Sequence, residues 1–186
     1  MKAKILKKTV TAIFAAAALL LSGCGKNAAA DRFAPFSEAL CGRADLSFTA
    51  DVRAEYSDRS ALFMLEYADE GEGCRVMVLA PEGIRGVTAH LNGAEAALGY
   101  DSILLDAGSL DRYGLSPTTA LPRLVEALRQ GHLETAWAED GLTVWELRPD
   151  DTLSIQVWLD ENLTPKRAEL ISEGRVAVYC EITNWK

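Results

Sequence analysis

The chain has 186 residues, a formal net charge of −8, four cysteines and two histidines. That length suits one globular domain with a real core. The acidic balance excludes nucleic acid as a partner, because binding it needs a basic footprint, and it removes electrostatic attraction to anionic lipid headgroups.

The first stretch is a leader. Lys2, Lys4, Lys7 and Lys8 stand without an acid, and Val10 to Leu21 is apolar apart from Thr11. A basic start followed by a short apolar run reads as a secretory signal. It is shorter than the roughly 20 apolar residues of a spanning helix. The run ends in Leu21-Ser22-Gly23-Cys24, which resembles the lipobox of bacterial lipoproteins. The resemblance implies cleavage before Cys24, a diacylglycerol thioether on its sulfur and a third acyl chain on the new amino terminus. Two or more chains hold a protein stably on a bilayer. The expected location is therefore export, then lipid anchoring to the outer face of the cell membrane or to the outer membrane. Residues 1–23 read as the signal peptide, 24–30 as the lipidated cysteine and its tether, and 31–186 as a single domain. The leader holds four basic residues and no acid, so its removal leaves 163 residues and takes the net charge from −8 to −12.

Cys41, Cys74 and Cys180 remain. Export permits a disulfide, but three is odd, so one thiol stays free or pairs between chains in a homodimer. Small buried hydrophobes are the other reading. A bridge, if made, is expected from Cys41 to Cys180, tying the first helix to the last strand.

Asp31 to Leu40 predicts a helix, capped by Asp31, with Phe33, Phe36 and Leu40 on one face and Gly42 at its end. Leu46, Phe48, Ala50, Val52, Ala54 and Tyr56 then alternate with polar residues, which marks an antiparallel strand with one face in water. Ala61–Tyr67, Cys74–Ala80, Ile84–Leu91, Ala94–Tyr100 and Ile103–Asp106 predict further strands. Short turns join them, including the tight-hairpin signal Asn92-Gly93. Ser116-Pro117 opens a helical segment, with a second turn expected at Pro122. Leu121, Leu124, Val125 and Leu128 form its stripe and Gly131 its cap. Strands resume at Leu133–Ala138, Leu142–Arg148, Thr152–Leu159, Arg167–Ser172 and Arg175–Thr183. A run of strands without intervening helices argues against a doubly wound fold, and a sheet this large curls or closes. The expected fold is mainly β with α: a curved antiparallel half-barrel of about ten strands, covered by the N-terminal helix and the central helical insertion. Its concave side would be an apolar cavity suited to acyl chains. Phe48, Val52, Val78, Leu124, Leu128, Ile155 and Val178 would line it.

The pieces resemble a known family. Leu46 to Tyr56 fits its first strand, Arg75 to Glu82 a strand ending in Pro-Glu, and Ser116 to Gly131 its central helix. Leu159-Asp160 leading to Thr164-Pro165 fits its late hairpin. The order resembles the lipoprotein-carrier fold of the periplasmic chaperone LolA, the acceptor LolB and related envelope lipoproteins. The resemblance implies a membrane-anchored, non-catalytic protein that binds a lipid or a lipoprotein acyl chain. In the GerS-type germination branch it implies instead an adapter for an envelope protein such as a cell-wall amidase.

No chemical constellation stands out. His90 and His132 have no ligand partner at metal-like spacing, and no Gly-x-Ser-x-Gly elbow occurs. Neither a metal nor a cofactor nor a catalytic residue is expected. Asp69-Glu70, Glu139-Asp140 and Asp150-Asp151 read as solvated turn tips. Trp145 falls on an inward face with Leu147. Trp158 and Trp185 are the residues expected on a partner-binding face, since exposed tryptophans serve as hot spots.

Overall fold

The structure, a computed structural model, describes residues 28–93, 95–100, 103–109 and 115–186. The leader, Cys24 and the tether up to Asn27 lie outside them. Ala28–Asp31 forms one helical turn, and helix α1 spans Phe33–Cys41. The N-cap of α1 is Arg32, with no side-chain cap bond, so Asp31 does not cap it as expected; Gly42 ends it as expected. Phe33 and Phe36 pack edge-on against Trp145, with ring centroids 5.2 and 5.1 Å away.

Eleven strands follow: β1 (Ser47–Glu55), β2 (Ser60–Glu70), β3 (Gly73–Ala80), β4 (Thr88–Asn92), β5 (Glu95–Tyr100), β6 (Ile103–Ser109), β7 (His132–Glu139), β8 (Leu142–Arg148), β9 (Leu153–Leu159), β10 (Pro165–Ser172) and β11 (Arg175–Thr183). Helix α2, Pro117–Gln130, stands between β6 and β7. All the strands join one antiparallel sheet in the order β6-β5-β4-β3-β2-β1-β11-β10-β9-β8-β7. Two meanders thus meet where β1 pairs β11, with Val52 opposite Cys180 and Ala54 opposite Val178. The sheet curls around α2, which touches β1, β2, β3, β8 and β10. It stays unclosed, since β6 and β7 are the two ends of the order. This is the expected half-barrel, with eleven strands in place of about ten.

The alternation in β1 holds: Phe48, Ala50, Val52 and Ala54 are buried and their neighbours face out. Two expectations differ. Ile84 closes a 3₁₀ turn, Glu82–Ile84, so only the second half of the expected strand Ile84–Leu91 is strand. Helix α2 also runs through Pro122 without a second start. Its entry explains this. Ser116 accepts from the Thr119 backbone N–H at 3.3 Å, and Thr119 Oγ1 accepts from the Ser116 backbone N–H at 2.8 Å, a reciprocal capping box. Pro117 then takes the first helical position, where no N–H is missed. From there Leu121, Leu124, Val125 and Leu128 turn one buried stripe onto the sheet.

Leu128 has no exposed surface. Leu128→Ala should lower unfolding free energy by about 2–5 kcal/mol through lost burial and the cavity it leaves. The shift in urea midpoint, at constant slope, reads this. An unchanged midpoint would mean that α2 is not packed on the sheet.

Candidate functional site

The inner face comes first. The seven residues expected to line a cavity do come together there, beneath α2. Phe48, Val52, Val78, Leu124, Leu128, Ile155 and Val178 belong to one buried cluster, and none is more than 3% exposed. Almost none of their surface is open to solvent. Phe48 stacks on Tyr67 at 5.0 Å and on Trp185 at 4.8 Å. Past the helix, the inner face continues uncovered. Leu98 stands opposite Ala89 in register, and Tyr100 opposite Ile103. Leu98, Tyr100 and Ile103 are 42%, 56% and 62% exposed.

Both tryptophans expected on a partner face are otherwise engaged. Trp185 packs against the core through Phe48. Trp158 does face outward, but it is only 4% exposed, because Arg167, its cross-strand neighbour, lies 3.7 Å over the ring. Alternation gives the face of a side chain and says nothing of what a neighbour lays across it. Trp145 is fully buried, as its inward face predicts, and donates from Nε1 to the Ala29 carbonyl at 2.8 Å.

The second place is a polar cleft of about 490 Å³ between the outer side of α2 and the ends of β2, β3 and β4. Tyr67, Cys74, Thr119, Arg123, Glu126 and Arg129 line it. Beneath lies Asp69, expected in a solvated turn but set on β2 with a side chain only 5% exposed. Arg129 Nη2 donates to it at 2.6 Å and Nη1 at 3.2 Å. Tyr67 Oη donates at 2.8 Å and the Leu46 backbone N–H at 3.1 Å. Burial pushes the carboxyl up, but the bonds from Arg129 and Tyr67 and the charge of Arg129 outweigh it and hold it below the usual carboxylate range. Burial, with Cys74 and Asp69 alongside, pushes the Tyr67 phenol far above its usual range. The inward sequence Leu65, Tyr67, Asp69 continues the period of two, and that was the signal that Asp69 turns in.

All three described cysteines are free. The bridge expected between Cys41 and Cys180 is not made: Cys41 is exposed at the end of α1, while Cys180 is buried in the sheet opposite Val52. Burial pushes the Cys180 thiol up to about 12 and, as the largest of several effects, that of Cys74 up to about 11. Neither is a nucleophile at neutral pH. No three metal-ligating side chains gather among the described residues.

The third place lies on the outer face, where a groove of about 420 Å³ crosses β11, β1, β2 and the end of β3. Asp51, Arg53, Leu62, Met64, Pro81, Tyr179 and Glu181 line it. Leu62 is 71% exposed and Met64 42%. The sequence carried this signal too. Ala61 to Leu65 is apolar at every position, where a strand with one wet face should alternate.

No family model and no curated protein matches the sequence. Among solved structures, the chain is similar to a LolA superfamily protein from Nitrosomonas europaea, with 14% identity, 85% of this chain and 92% of that chain covered, and a TM-score of 0.47. It is similar to the lipoprotein LppX of Mycobacterium tuberculosis, with 10% identity, coverage of 87% and 96%, and a TM-score of 0.44. It is also similar to a chain in the complex of the CwlD amidase of Clostridioides difficile with the GerS lipoprotein, with 11% identity, coverage of 87% and 97%, and a TM-score of 0.44. At these values no residue role is carried across.

Asp69→Asn leaves the Arg129 charge buried and unmatched, which should cost about 3 kcal/mol at pH 7. The folded carboxyl titrates below its unfolded value. Its contribution is therefore complete above about pH 4 and is lost as pH falls further through the folded pKa. Urea unfolding from pH 7 to pH 2 should show the wild-type advantage shrinking below pH 4. A constant gap would mean that the variant acts through packing rather than charge.

Proposed function

We propose that the chain is a non-catalytic binding module of the cell envelope. Its leader exports it, lipid on Cys24 holds it on the membrane, and its partner is a protein docked on its outer surface. The observation that carries this reading is the filled inner face. With Leu124 and Leu128 packed on Phe48, Val52, Val78, Ile155 and Val178 at 3% exposure or less, an acyl chain under α2 would have to displace the core. The outer face instead offers exposed apolar side chains in a groove. A cell-wall amidase is the partner class that the sequence resemblance implies. One specific observation favours a second reading. Leu98, Tyr100 and Ile103 leave an apolar strip open on the inner face, where a lipid or a lipoprotein acyl chain could lie beside the helix.

Two measurements test this. In cells fed a labelled fatty acid, the wild-type chain should take up label and Cys24→Ala should take up none; label retained in the variant removes the anchor. The full chain in detergent, mixed with a purified cell-wall amidase from the same cells, should migrate as a stoichiometric complex in gel filtration. A lipid mass retained in native mass spectrometry and lost in Leu98→Asp, with no protein complex, would replace the adapter reading with the lipid one.

A further inference from the structure

The outer groove has a charge pattern that says what it takes. Asp51 and Glu181 stand directly opposite each other in the β1–β11 register, and like charges so placed repel. Asp51 makes no hydrogen bond or ion pair among the described residues. Glu181 accepts only from the Tyr179 hydroxyl, at 3.0 Å. Arg53 and Arg167 flank the two in register, and neither forms an ion pair with them. Arg53 pairs with Glu55 at 2.8 Å and lies 5.1 Å from the Tyr179 ring centroid. Arg167 stands opposite Glu181 in the β10–β11 register, but its guanidinium covers Trp158 and leans toward Glu139 at 3.8 Å rather than pairing with Glu181. Neither carboxylate thus has an ion-pair partner among the described residues, and both lie near the most exposed large apolar side chain described, Leu62, and near Met64, which stands opposite Asp51 in the β1–β2 register. The backbone adds a third feature. Strand β3 ends at Ala80, opposite Met64, so Ser60 to Phe63 pair β1 on one side and no described strand on the other. An extended segment could lie along that edge.

We propose that this groove docks an extended segment of a partner protein that presents apolar side chains and a lysine or arginine on one face, at every second position. The apolar side chains cover Leu62 and Met64, and a cation sits between Asp51 and Glu181. The net charge of −12 after loss of the leader steers such a segment in and repels an anionic bilayer. This rests on the protein-partner reading above and names its site.

The test uses the full chain in detergent and a fluorescent heptapeptide with leucine at positions 1 and 3, lysine at 5 and 7 and serine between, with a control peptide carrying glutamate in place of lysine. The lysine peptide should bind, the glutamate peptide should not, and binding should weaken with salt. Leu62→Ser and Asp51→Asn should each weaken it about tenfold, as losing a central contact does, and Leu98→Ser on the inner face should not change it. Leu62 and Asp51 are exposed, so these variants should fold. Hydrogen exchange on peptide addition should slow in residues 51–53, 61–64 and 179–181. Equal binding of both peptides, or binding indifferent to Leu62→Ser, overturns the proposal. Slowing of the same residues by lipid nanodiscs without peptide also overturns it, in favour of a lipid surface. If the amidase complex forms and is insensitive to Leu62→Ser, the site is elsewhere and the adapter reading stands. If neither the complex nor the peptide binds, both fall.

Discussion

The fold hangs on the pair Arg129–Asp69. Arg129 is the penultimate residue of α2, and Asp69 lies near the end of β2. Their forked contact ties the lid helix to the sheet at one defined point. The same guanidinium donates to the Leu40 carbonyl at 3.3 Å and to the Arg43 carbonyl at 3.2 Å. Ser37 Oγ and Cys41 Sγ in turn donate to the Arg129 carbonyl. Helix C-termini leave carbonyls without partners, and here two helix ends satisfy each other over one buried charge. A pair of this kind adds little net stability over an apolar filling, but breaking it strands a charge. Its effect is to allow α2 one seat on the sheet.

That seat decides what the concave face is. An amphipathic helix lying across a curled sheet converts a trough into a core. Tyr67 belongs to both arrangements: its hydroxyl donates to Asp69 while its ring stacks on Phe48. The polar anchor and the filled apolar interior are therefore one structure. Where the helix stops, at the β5–β6 wing, the same inner face is left open at Leu98, Tyr100 and Ile103.

Much of the architecture was legible because period two is a local property. β1, β9 and β11 could be read from alternation, and the β4–β5 hairpin from Asn92-Gly93, whose glycine takes φ +56. What was not legible was non-local. No local pattern says that β1 pairs β11 and so places both ends of the domain at the middle of the sheet. Ile84 to Leu91 reads as strand by composition, but its first residues turn, and the Gly86 backbone N–H donates to the Val78 carbonyl at 2.9 Å. Phe48, Val52 and the other inward residues were placed on the right face, yet whether that face encloses a void depends on how deep α2 sits. Trp158 was aimed outward correctly and lost its exposure to Arg167, a residue one strand away.

The outer face completes the argument, because it is where the sequence breaks its own rule. A curved sheet whose inner face is core can keep its outer face polar, and most of this one is. Arg75 bridges Glu66 and Glu70 at 3.1 and 2.7 Å, and Arg148 meets Glu134 at 2.8 Å, so cross-strand charges there are matched. Around Asp51, two carboxylates face each other without an ion pair, and beside them Leu62 and Met64 stand exposed on the same face. Folding gains little from either feature: Leu62 leaves 71% of its surface in water, and opposed carboxylates repel. Features that folding rewards little, set side by side on β2, β1 and β11, are what a docked partner would account for.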